Sequence, residues 1–371
     1  MNQLFGSVKY SSEVNEYTLQ AMLEKALSQK PTGLFILCCE QSLNQLNSFE
    51  SFLQSIPIPV FGGAFPSVLY DQQAQEQGII FVAMHMPLDI RVFHDLDQAK
   101  AFELSFNLAE YQSLIVLVDG LSRNIEDALN QIFLQTDSDI AVFGGGAGSL
   151  SFQQKPCIFT NQGVFDNTIV MVAMQLKVSL AIGHGWQPLA GPYLANQVDD
   201  NHIVQLNFQP ALEVYQQVVE EHSGKKFSDH EFFDLAKTYP FGIERLDDDL
   251  LVRESLTFEE TSLVCVGRVP ENVMLYILGG QPQQLINAAA NAVEIHAKKS
   301  TISQAMLFDC AGRKLFLADE FDSELEQITS SLNSKNKLFG ALVLGEIASG
   351  QCGGIHFHNK TAVIAMTKDD Q

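Results

Sequence analysis

Residues 113–148 read SLIVLVDGLSRNIEDALNQIFLQTDSDIAVFGGGAG, and this stretch sets the fold class. Residues 113–118 are an unbroken apolar run of strand length, 125–135 fit a helix, and 140–143 are a second strand running into Gly144-Gly145-Gly146-Ala147-Gly148. The same alternation extends in both directions. Upstream, 18–30 is a helix with Leu19, Met22, Leu23, Ala26 and Leu27 on one face, and Pro31-Thr32-Gly33 turns it into the strand 34–39. Then follow a helix at 43–55, a short strand at 60–61 ending in Gly62-Gly63, a strand at 78–85 and a helix at 96–110. Downstream, strands at 168–174 and 178–182 follow so closely that a hairpin or meander is expected. Helices packed on a sheet are the architecture this alternation predicts.

The texture changes near Pro210. Segments 211–222 and 230–238 are helical with polar faces and read as a connector over 209–240. Strands at 262–266 and 273–278, a long amphipathic helix at 282–298, a strand at 304–308, a helix at 322–332 and strands at 338–344 and 361–366 complete the chain. With 371 residues, one hydrophobic core would be unusually large. Two α/β domains are expected, each a β-sheet packed with helices, spanning 1–208 and 209–371. Neither an internal repeat nor a low-complexity tract is legible.

Composition excludes several classes. Hydrophobic residues make up 46% and charged residues 18%, which is globular material. Forty-four acidic against 22 basic residues give a net charge of −22. Such a surface repels phosphate backbones and anionic lipid, so nucleic acid and membranes are poor partners. No basic segment precedes an apolar core at the N-terminus, and no apolar run reaches the roughly 20 residues a bilayer requires. The six cysteines, with no C-x-x-C pair, suit a reduced cytoplasm.

Common catalytic signatures are absent from the sequence. It holds no P-loop, no G-x-S-x-G elbow and no H-E-x-x-H. The glycine run at 144–148 does not satisfy G-x-G-x-x-G and reads as backbone needing positive φ or close approach. His356 and His358 fall on one face of a strand, but without cysteine or carboxylate ligands at recognised spacing they read as a histidine pair, not a zinc site.

Two ordered sets of fragments carry more information. The first is Asp119-Gly120-Leu121-Ser122-Arg123, the glycine run, Phe165-Asp166, Gly183-His184-Gly185-Trp186-Gln187-Pro188-Leu189 and Pro210-Ala211-Leu212-Glu213-Val214-Tyr215. The second is Pro240-Phe241-Gly242-Ile243, Leu251-Val252-Arg253, Phe308-Asp309-Cys310-Ala311-Gly312-Arg313, Gly345-Glu346-Ile347 and Phe357-His358-Asn359-Lys360-Thr361. In order and spacing these resemble the N-terminal and C-terminal halves of the FIST family of sensory proteins. The resemblance implies a cytoplasmic, non-enzymatic sensor of a small ligand, amino acids included, that acts through a signalling partner. A stand-alone chain is also similar to the nitric-oxide-sensing NosP type, which implies haem b and a partner histidine kinase.

Candidate residues follow. His184, between Gly183 and Gly185 and beside Trp186, is placed to ligate haem iron, the glycines leaving room for a flat macrocycle. Taken alone, the same residues equally describe a histidine capping a tight turn, with Trp186 in the core. His85, His356 and His358 are further candidates. In the second half, Arg313 offers a fork for a ligand carboxylate and Glu346 an acceptor for an ammonium group, or else the two form a salt bridge. Asp309 and Cys310 complete this alternative site, and Cys310 is a nucleophile only if a base lies nearby. Homodimer formation is left open.

Overall fold

The computed structural model describes residues 5–44, 46, 48–101, 110–136, 139–245, 250–299, 301–332, 338–350 and 353–368. Strands account for 42% and helices for 29%, a mixed α/β protein of several sheets packed by helices.

The chain runs as three successive units of one design. Unit one contains β1 (Ser7–Ser11), α1 (Glu16–Leu27), β2 (Gly33–Cys39), α2 (Glu40–Leu43), α3 (Phe49–Ser55), β3 (Val60–Phe65), the short hairpin β4 (Ser67–Tyr70) and β5 (Gln73–Gln75), and β6 (Ile79–Met84). Unit two contains β7 (Leu88–His94), a 3-10 turn at Leu96–Ala101, β8 (Ser113–Asp119), α4 (Ile125–Gln135), β9 (Ala141–Ala147), the hairpin β10 (Ile158–Thr160) and β11 (Gly163–Phe165), and β12 (Thr168–Met174). Of the helix expected at 96–110, residues 102–109 lie outside the described residues.

Unit three opens with β13 (Val178–Gly183) and is then interrupted. The insertion holds β14 (Gln187–Ala195), β15 (Gln197–Asp199), β16 (His202–Leu206), β17 (Gln209–Pro210), α5 (Ala211–Ser223), α6 (Phe232–Ala236), β18 (Phe241–Glu244), β19 (Leu250–Arg253), β20 (Ser255–Glu259), β21 (Ser262–Cys265) and β22 (Val273–Gly279). The unit resumes with α7 (Pro282–Ala297), β23 (Ile302–Cys310), α8 (Ala311–Leu317), α9 (Phe321–Ser331), β24 (Leu338–Val343), the hairpin β25 (Glu346–Ser349) and β26 (Ile355–His358), and β27 (Ala362–Lys368).

Pairing repeats with the order. Each unit has one parallel pair joined through helices, β2 with β3, β8 with β9, and β23 with β24. Its closing strand returns antiparallel to the first member, and its opening strand pairs with the closing strand. The hairpin never stays at home. Hairpin β10–β11 of unit two joins β3 of unit one, β25–β26 of unit three joins β9 of unit two, and β4–β5 of unit one joins β24 of unit three. Three six-stranded sheets are thereby closed into a ring.

An internal repeat is therefore present, against the expectation from sequence. Its trace is a Phe-Gly pair in the second parallel strand: Phe61-Gly62, Phe143-Gly144 and Phe339-Gly340, with the glycines opposite Ile36, Val116 and Leu307. A Cβ at any of the three glycines would overlap the carbonyl oxygen of its opposite residue. Close backbone approach, not a phosphate loop, also explains the run at 144–148, most of which lies inside β9. The hairpin expected from 168–174 and 178–182 does not form, because β12 and β13 belong to different sheets.

Inner faces of the three sheets meet in one core, where Phe35, Leu117, Phe143, Phe308, Phe339 and Val363 are all buried. Helix α4 packs outside the second sheet, and α7 and α9 outside the third. The insertion has its own core of Ile203, Leu206, Tyr215, Leu235, Phe241, Leu263 and Leu275. Helices α5 and α6 belong to that core, and residue 208 lies within the insertion. Among the described residues, no helix is long and apolar enough to cross a membrane.

Candidate functional site

Open α/β sheets collect ligands outside the carboxyl ends of their parallel strands, where chain direction and loop length leave a crevice. Here the carboxyl ends of β8, β23 and β24 surround a cavity of about 520 Å³, within the size range of small-molecule sites. Unit two supplies Gly120–Glu126, unit three supplies Cys310–Gly312, Leu315, Val343–Gly345, Phe357 and Asn359, and the insertion covers it with Asp199–His202, Phe233, Glu254, Leu256 and Cys265–Arg268. Leu150 and Phe152 complete the wall.

Both signs of charge face this space. Arg268 is held by Asp127 at 2.8 Å and by Asp200 at 2.8 Å, and its amide donates to Glu126 Oε1 at 2.6 Å. Lys360, fully buried, places Nζ 2.5 Å from Glu254 Oε1 and donates to the Gly312 carbonyl at 2.8 Å. Its ammonium also stands 5.9 Å from the Phe233 ring centre. Sequence reasoning passed over Glu254, Arg268 and Phe233, because no local pattern marks residues that converge only through a non-local insertion. Lys360 was quoted, but as a fragment of a motif.

Beneath the cavity lies a cluster of buried carboxyls. Asp309 Oδ1 accepts the Cys310 amide at 2.8 Å, and Glu346 Oε2 accepts the Thr361 amide at 3.1 Å. Asp309 Oδ2 and Glu346 Oε1 have no hydrogen-bond partner among the described residues. Burial raises both carboxyls well above the usual carboxylate range, and neighbouring acids, Glu324 for Asp309 and Asp309 for Glu346, raise them further. Burial likewise pushes the Cys310 thiol well up, with Glu346 and Glu254 adding to it. Cys310 lines the cavity as a thiol, not as a nucleophilic thiolate.

Arg313 does not line the cavity. Its guanidinium is fully buried, bonded to Glu324 through Nε at 2.9 Å and Nη2 at 2.5 Å, and it donates to the carbonyls of His184 at 2.6 Å, Leu285 at 2.6 Å and Lys360 at 3.2 Å. All of its reach is spent on tying α9, α7, the 184–186 segment and the Lys360 turn together. Its ion-pair partners are Glu324 and, at 3.9 Å, Asp309, and Glu346 is held separately.

His184 is half-buried, and its Nδ1 accepts the Trp186 amide at 3.0 Å. Trp186 is 1% exposed, donates through Nε1 to the Lys360 carbonyl at 3.2 Å and packs on Phe316 at 4.8 Å between ring centres. The flanking glycines face protein. A Cβ at Gly183 would meet the Ala288 carbonyl oxygen at 2.8 Å, and one at Gly185 the Leu285 Cα at 2.7 Å. Helix α7 fills the space a macrocycle would need, so these residues fit a tight turn and do not fit haem. His356 and His358 share one face of β26, their rings 5.9 Å apart, and His356 Nε2 lies 2.8 Å from Arg245 Nη2.

A closed α/β ring with a ligand-sized cavity under an inserted cover defines the class: a protein built to enclose a small molecule. The FIST N domain matches residues 34–209 and the FIST C domain residues 211–349, so the chain belongs to the FIST-domain proteins, whose domains sense small ligands in signalling. The junction between the two matched segments falls inside the insertion. No curated protein matches the chain.

Proposed function

We propose that the protein is a sensor of a small zwitterionic metabolite, an amino acid or close relative, bound in the cavity between the ring and the insertion. Support comes above all from the place and size of that cavity, at the carboxyl ends of three parallel strands and walled by both matched domains. A ligand carboxylate meets Arg123 and Arg268 on its wall, and an ammonium group meets Glu126 and Glu254. Occupancy is passed to a signalling protein such as a histidine kinase, because a ligand gripping two bodies at once biases how they sit together.

Thermal unfolding against a panel of amino acids tests this reading. A ligand at a hundred times its Kd should stabilise the native state by about 2.7 kcal/mol. Leu315→Trp, which places bulk on the cavity wall, should abolish that shift while changing stability without ligand by about 1 kcal/mol or less. A panel with no shift at any ligand would overturn the amino-acid assignment. An absorption spectrum addresses the alternative: a Soret band that moves with nitric oxide and disappears in His184→Ala would favour haem-based sensing.

A further inference from the structure

We infer that the insertion, residues 187–279, is a hinged cover that opens and closes the cavity, turning about the paired crossings at 184–186 and 280–281. The inference rests on the cavity being the ligand site and names how that site is regulated.

Four observations converge. The chain leaves and re-enters the ring at one place, since Gln187 pairs with Gly279 at the first step of the β14–β22 ladder. Both crossings adjoin glycines, Gly183 and Gly185 on one side, Gly279 and Gly280 on the other. Trp186 pins the crossing: it is buried against Phe316, its amide is held by His184 Nδ1, and the His184 carbonyl is held by Arg313. The insertion carries an apolar core of its own, so it can move as one body.

At the cavity, away from the pin, polar contacts attach it to the ring beside a small apolar contact made by Val252 and Val266. Arg268 grips Asp127 with both Nη1 and Nη2, at 2.8 and 3.3 Å. Arg253 Nη1 donates to the Phe357 carbonyl at 2.8 Å, the Glu254 amide to Asn359 Oδ1 at 3.2 Å, and Lys360 pairs with the Glu254 carboxylate. Of these, the part-exposed Arg268–Asp127 pair exchanges for water at the lowest cost, whereas the buried Lys360–Glu254 pair must be rehydrated as the cover lifts. A ligand between the two bodies adds contacts that exist only when the cover is down, and so favours the closed arrangement.

Residue-resolved amide hydrogen exchange of the ligand-free full chain tests this. The Glu254 and Arg268 amides donate to side chains of the ring, Asn359 and Glu126, so each opening exposes them. The Leu263 and Leu275 amides sit in the insertion's own sheets and report its unfolding. In Arg268→Ala, and independently in Asp127→Asn, the first pair should exchange at least about tenfold faster while the second pair is unchanged, and raising salt in the wild type should move the first pair in the same direction. The exposed-pair variant Glu294→Gln should do neither. Exchange of all four amides at one common rate in both latch variants would overturn the hinge, because the insertion would then leave the ring only by unfolding. This outcome is independent of ligand: a hinge that opens with no amino acid shifting the melting temperature retains the device and discards the ligand, and a ligand shift with no separate opening does the reverse.

Discussion

Arg313 shows how a residue type suited to ligand recognition is used instead to hold the protein together. A guanidinium with no exposure, hydrogen-bonded to the Glu324 carboxylate and three backbone carbonyls and with Asp309 at 3.9 Å, has no donor left for a ligand. Arg313→Met should therefore cost about 3–5 kcal/mol in denaturant unfolding, since it strands the buried Glu324 carboxylate and three acceptors; a variant of normal stability that had lost only ligand binding would contradict this. Asp309 makes a prediction about pH. Burial and Glu324 raise its carboxyl in the folded state, so the stability this group contributes is present at low pH and is lost as pH rises from its unfolded value, about 4, through the folded one. Asp309→Asn keeps an oxygen for the Cys310 amide and removes the titration. Its urea midpoint should gain on that of the wild type as pH rises above about 4, and parallel curves would show that the Asp309 carboxyl is not raised by folding.

At the scale of elements, three glycines in equivalent strands should respond alike. Alanine at Gly62, Gly144 or Gly340 would drive a methyl group into a neighbouring strand's carbonyl, and each should lower stability by about 1–3 kcal/mol in urea unfolding. A near-zero cost at one position would mean that its strand pair can separate where the others cannot. The sequence reads clearly where the signal is local and long: residues 125–135 and 282–298 have helical periodicity, and α4 and α7 form there. Short strands escape it, because β4, β5, β10 and β11 have only three or four residues and little alternation to detect. The repeat escapes for a different reason, since all that the units visibly share is Phe-Gly at one register, and register is a property of pairing. The cavity was partly legible: Cys310 and Asn359 were among the quoted fragments and do line it, whereas His184 and Arg313 were read as ligand groups and bond instead to the elements around the hinge.

For the molecule as a whole, the ring and its cover divide the labour. The ring supplies a shared apolar core that fixes three strand ends around one space, and the cover supplies charged groups that reach that space only when docked. In the reading proposed above, sensing follows from their relative position. The exchanged hairpins carry one more consequence, and it concerns synthesis. Ser67, in the first hairpin made, finds its partner only in Leu342. While a ribosome is still translating the middle of the chain, β4 and β5 wait with unsatisfied backbone edges, and only near the end of translation can the circle lock. Those edges stay open for most of synthesis, and a message truncated before codon 338 should yield aggregate instead of a smaller folded protein.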